Sequence, residues 1–82
     1  NGEYKYKLGR LYSELGFPDK AIFNLQEATR LNPENEVALW YLIKTLKDTN
    51  QTEEAKEIAE NYIERFPLGE HVNQVRAYVS SI

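Results

Sequence analysis

Cysteine is absent from this 82-residue sequence, and so is methionine. Without thiols there is no disulfide scaffold and no thiolate-held metal; the absence fits a reducing compartment without requiring one. His71 is the single histidine, so a His–His metal pair is excluded. The four glycines are scattered at Gly2, Gly9, Gly16 and Gly69, and none forms a phosphate-cradling loop. No apolar run approaches the roughly 20 residues that span a bilayer. No basic segment followed by an apolar stretch opens the chain. Lys and Arg total 10 against 13 Asp and Glu, a net charge of −3. That is the wrong sign for a protein that lives on nucleic-acid phosphates. A sequence that begins at Asn1 and holds no methionine is expected to be a trimmed or excised segment.

What is present is helical periodicity. Tyr4, Leu8, Leu11, Tyr12 and Leu15 form a stripe of i, i+3, i+4, i+7 type over residues 3–15. Gly16 suits the position after a helix and Pro18 the opening of the next. Ala21, Ile22, Leu25, Ala28 and Leu31 then mark a second helix over 19–31, stopped at Asn32-Pro33 because a residue before proline leaves the α region. Val37, Leu39, Trp40, Leu42, Ile43 and Leu46 give a third over 36–48. Asn50-Gln51-Thr52 forms the next turn, with Thr52 expected as N-cap. A fourth helix over 53–65 buries Ala55, Ile58, Ala59, Tyr62 and Ile63 and ends before Phe66-Pro67. A fifth follows Leu68-Gly69 through Val72, Val75, Val79 and Ile82. The reading is five helices and no strand.

Shifting the chain by 34 residues places Leu8 on Leu42, Ala21 on Ala55 and Pro33 on Pro67, with Tyr6 on Trp40 and Arg10 on Lys44. Two helices per 34 residues make antiparallel hairpins that stack side by side. Lys5-x-x-Leu8-Gly9-x-x-Tyr12, Ala21-x-x-x-Leu25-x-x-Ala28 and Pro33 resemble the tetratricopeptide repeat (TPR) pattern, with Lys5 in place of its first aromatic. Leu39-x-x-Leu42-Ile43-x-x-Leu46, Ala55-x-x-x-Ala59-x-x-Tyr62 and Pro67 follow it more loosely. The resemblance implies an all-α, right-handed superhelical solenoid in one domain over 1–82. Its parts are a first repeat (2–35), a second (36–69) and a C-terminal capping helix (70–82). The departures compensate one another. Small Gly9 and Ala28 become Ile43 and Tyr62, while Leu25 shrinks to Ala59, as a constant core volume requires.

The two ends differ. Asn73, Arg76 and Ser80 would face a further partner helix and are polar, so the fifth helix closes the array. Tyr4 and Leu11 occupy slots that would touch a preceding hairpin. They point either to the C-terminal end of a longer repeat region or to packing against a second copy. Phe23 sits where the pattern has a solvent-facing polar residue, and is a further candidate for self-association.

Catalytic chemistry has no foothold. His71 reads as an exposed histidine without a role, and neither a metal nor a cofactor is expected. Glu53, Glu54, Glu57, Glu60 and Glu64 read as a solvated outer face. In the resembled family the first helices of successive hairpins line a concave face that receives peptides. The matching positions are Tyr6, Lys7, Arg10, Ser13 and Glu14; Val37, Trp40, Tyr41, Lys44 and Lys47; and His71, Gln74, Val75 and Tyr78. Trp and Tyr are favoured contact anchors, and Arg10, Lys44 and Lys47 form a basic stripe. Tyr6 and Trp40 suit packing between helices equally well. A chaperone-tail carboxylate clamp, known in this family, would fall on Tyr6, Arg10, Tyr41, His71 and Val75; only Arg10 is reliably basic there, which disfavours it. The expectation is a non-catalytic module that binds a peptide or helix of a partner protein bearing acidic and apolar residues. The alternative is a structural or oligomerising segment of a larger repeat assembly.

Overall fold

In the computed structural model, which describes residues 2–82, five α-helices follow one another: α1 (Gly2–Leu15), α2 (Pro18–Leu31), α3 (Glu36–Asp48), α4 (Thr52–Arg65) and α5 (Val72–Ser80). Among the described residues there is no strand. The boundaries lie within one or two residues of the periodicity reading. Thr52 is the first helical residue rather than the cap; Gln51 takes the cap position without a capping side-chain hydrogen bond.

The same device ends α1 and α3. Gly16 adopts φ 83° and Asn50, 34 residues later, φ 61°. At the first, Phe17 N donates to Tyr12 O at 2.9 Å and Gly16 N to Ser13 O at 3.3 Å; at the second, Gln51 N donates to Leu46 O at 2.9 Å and Asn50 N to Lys47 O at 3.1 Å. Both are Schellman closures, and asparagine is the residue after glycine that best tolerates the left-handed conformation. The ring of Phe17 also meets Tyr12 edge-on at 6.3 Å. Proline ends α2 and α4, which stop before Pro33 and Pro67.

α1 packs on α2, α3 on α4, and each hairpin on the next through α2–α3 and α4–α5. The first helices of the hairpins also touch, so α1, α3 and α5 run along one side while α2 and α4 form the other. α3 is the spine. Its Leu42 and Leu46 join Ala21, Leu25 and Ala55 in one core. From its other side Leu39 and Ile43 join Ala59, Tyr62, Val72 and Val75 in a second.

The exchange of bulk expected between the hairpins is present. A Cβ on Gly9 would lie 2.6 Å from Leu25 Cγ, so α1 approaches α2 over a full leucine only because residue 9 has no side chain. In the second hairpin Ile43 fills the place of Gly9 and Ala59, 0% exposed, that of Leu25. Asn73, Arg76 and Ser80 are exposed on α5, whereas Val72 is buried against α4.

Candidate functional site: the face of α1, α3 and α5

The side-by-side arrangement of α1, α3 and α5 gathers most of the residues singled out from sequence. Tyr6 and Tyr41 meet across the α1–α3 seam with ring centroids 6.3 Å apart. The Arg10 guanidinium and the Lys44 ammonium each lie 5.9 Å from the centre of the Tyr41 ring. Lys47 lies 5.6 Å from that of Tyr78, bridging α3 to α5. Tyr6, Tyr41 and Tyr78 are half-buried and rest on the first core, which fixes their rings. Arg10, Lys44, Lys47 and Gln74 are exposed.

Electrostatics hold this strip loosely. Arg10 Nε lies 3.4 Å from Glu14 Oε1 with both side chains more than half exposed, so solvent screens the pair and it adds little to stability. Hydrogen bonding with Tyr6 is the main influence raising the Arg10 pKa above its ordinary value. The cation–ring contacts are weak at such exposed sites. These cations therefore rest on tyrosines with their charged groups exposed to solvent.

His71 and Val75 depart from the sequence reading, while Trp40 takes the packing role that was one of the two expected of it. Val75 is fully buried in the second core and cannot line a groove. His71 is not an exposed residue without a role. Its ring stacks on Trp40 with centroids 4.6 Å apart and planes 7° apart. Its Nδ1 lies 2.8 Å from Glu36 Oε2, and the two side chains are only 20% and 16% exposed. Glu36 also accepts from the Tyr62 hydroxyl, and His71 N donates to that hydroxyl oxygen at 3.0 Å. Burial pushes the Glu36 carboxyl up, but the bonds from Tyr62 and His71, with the charge of His71, together hold it below the usual carboxylate range. Burial first, and then the bond to Glu36, push the Tyr62 hydroxyl up to about 12. Trp40 is thus a wall braced from behind rather than a freely swinging anchor. The sequence signal for this node was the set Glu36, Tyr62 and His71 at positions where the residues 34 places earlier are Gly2, Ala28 and Val37.

A shallow depression of about 400 Å³ opens beside this node, at the α4–α5 turn, between Glu36, Arg65 and residues 66–70. The sequence reading did not indicate it. The five α4 glutamates all face solvent, as expected. Among the described residues no group of three or more His, Asp or Glu side chains is placed to hold a metal ion, and no helix is long and apolar enough to cross a membrane.

A helical-hairpin array with one aromatic and basic side is the class that this architecture defines. The tetratricopeptide repeat family model matches residues 14–77, from the end of α1 into α5. The chain belongs to the TPR family, whose repeats mediate protein–protein interaction and are typically non-catalytic. It has no significant match among curated proteins or solved structures.

Proposed function

We propose that the chain is a non-catalytic interaction module that holds a peptide or helix of a partner protein along the face of α1, α3 and α5. The partner segment carries acidic and apolar residues, and nucleic acid is not a ligand. The observation that carries this reading is Tyr41, which has the Tyr6 ring tilted beside it and both Arg10 and Lys44 within 5.9 Å of its ring centre. Half-buried tyrosines offer apolar area at low entropic cost, and cations around them select carboxylates. Trp40, His71, Gln74, Lys47 and Tyr78 extend the same strip toward α5.

Calorimetric titration with peptides alternating Asp or Glu with Phe or Leu, against matched peptides carrying Lys, tests this. The acidic set should bind at least about tenfold more tightly, with affinity falling as salt rises. Tyr41→Ala should weaken that binding, and Lys44→Glu with Lys47→Glu should invert the charge preference. Undiminished affinity in variants of unchanged circular dichroism refutes groove recognition. Trp40→Ala is a poorer probe because it also removes the stack on His71. The second reading, a structural segment of a larger assembly, is favoured by the exposure of Tyr4 (60%), Leu11 (50%) and Phe23 (60%). Phe23 lies apart on α2, beneath Lys5 Nζ at 5.8 Å.

A further inference from the structure

Three donors converge on one oxygen of Glu36. The Tyr62 hydroxyl, His71 Nδ1 at 2.8 Å and, at a longer 3.4 Å, His71 N all donate to Oε2. Oε1 takes no hydrogen bond from any described residue. It is not sealed off, because among those residues no buried side-chain polar atom is left without a partner. Glu36 lines the depression at the α4–α5 turn, and this open oxygen is the acceptor it brings there.

The rest of the wall is apolar and carries a second negative charge. Phe66 is half-buried, its ring tilted against that of Tyr62 with centroids 5.5 Å apart. Pro67 and Leu68 follow on the turn, and Leu68 is 97% exposed, with almost no cover from its own chain. Glu70 lies close enough for its charge to act on the Tyr62 hydroxyl. Arg65 is the cation of the lining, and its Nη1 donates to Pro33 O at 3.2 Å. His71 bonds Oε2 and does not line the depression. Two carboxylates against one guanidinium leave the depression negative.

We infer that this depression takes a lysine side chain of a partner protein, its ammonium on Glu36 Oε1 and its methylene stem along Phe66, Pro67 and Leu68. A guanidinium binds a carboxylate best through two parallel bonds, and Oε2 is already filled, so the single-point ammonium fits better. Sites for free small molecules enclose most of the ligand surface. This depression is shallow, and an open ledge suits a side chain presented by another protein. None of its lining residues belongs to the strip around Tyr41, so the two readings stand or fall separately.

The test follows amide NMR signals of the isotope-labelled 82-residue chain during titration with an acetylated, amidated Gly-Phe-Lys-Leu-Gly peptide and with its arginine and norleucine counterparts. The lysine peptide should shift the amides of Leu68, Gly69 and Glu70, with affinity at least about tenfold above norleucine and about threefold above arginine. Glu36→Gln keeps an oxygen for Tyr62 and His71 but turns an amide donor toward the depression, and should weaken binding about tenfold. That change also touches the corner, so Leu68→Ser is the second variant. It should lower affinity about threefold while leaving the Tm unchanged. Arg65→Gln should raise affinity about twofold. If Glu36→Gln does not fold, Leu68→Ser and Arg65→Gln decide. Absence of any shift, shifts confined to Tyr41 and Lys44, arginine or norleucine binding as tightly as lysine, or full affinity in Leu68→Ser each overturn the inference. So does n-butylamine binding as tightly as the peptide, which makes a free amine the ligand.

Discussion

The two corners at which successive helices change direction occupy equivalent places and are built from opposite chemistry. Around the start of α3 stand Gly2, Ala28 and Val37, which offer no side-chain polar atom. The N-terminus of α3 is satisfied locally instead, by Asn35 Oδ1 accepting from Ala38 N at 3.0 Å. Around the start of α5 the equivalent residues are Glu36, Tyr62 and His71. Gly69 stands where Asn35 did and has no side chain to cap with, and α5 begins only at Val72. A Cβ on Gly69 would lie 2.6 Å from the Tyr62 hydroxyl oxygen, so the tyrosine occupies the space a capping side chain would need. Its hydroxyl and the Glu36 carboxylate take the His71 N–H in place of a local cap. The difference teaches that a repeat conserves a backbone turn without conserving how its donors are satisfied. A local cap and a bridge from two other helices serve the same end.

The hairpin cores, which trade bulk as the corners trade polarity, give the largest expected effect. Leu25→Ala should cost about 2–5 kcal/mol through the cavity it leaves. Gly9→Ile should overpack the same seam, and the double variant, which writes the Ile43–Ala59 pair into the first hairpin, should recover much of the combined loss. Additive penalties in urea denaturation would show that the pairs do not compensate. The converse change, Ala59→Leu, should cost about 1–3 kcal/mol and lower the Tm.

At the second corner, Tyr62→Phe removes the hydroxyl that serves both Glu36 and His71 N, at a cost of about 1–3 kcal/mol. It should also change the pH dependence. With Tyr62 raised to about 12 from 10.0, its contribution is whole below pH 10 and is lost as pH climbs from 10 to 12. Glu36 acts in the other direction. Its carboxyl is held below 4.5, so its contribution is present above that pH and fades as pH falls below it. Thermal unfolding followed across pH should show both slopes in the wild type. Tyr62→Phe should flatten the alkaline slope; an unchanged slope would sink the assignment. The smallest effect belongs to the first corner. Asn35→Ala should cost about 1 kcal/mol, with no dependence on pH above that of the parent.

Helix number, order and approximate limits were legible in the sequence because they rest on short-range rules. Apolar spacing, Gly16 after one helix, and Pro33 and Pro67 after two others each act within a few residues. Asn50 in the left-handed conformation was less legible, since only its register with Gly16 marks it. The aromatic and basic strip could be listed because side chains at helical spacing share a face. His71 could not be read as half-buried, nor Val75 as wholly so. Their surroundings come from α3 and α4, from residues 9 to 36 positions away along the chain, and no local pattern reports the distance between such helices.

The sequence by itself determined the 34-residue alternation of paired helices, because periodicity and turn chemistry are properties of neighbouring residues. Only the tertiary structure decided which polar groups meet, that Glu36, Tyr62 and His71 close one corner, and that Leu11 and Leu15 are left uncovered on α1. Those outcomes depend on how closely separate helices approach, and that distance is set by side-chain volume summed across an entire interface.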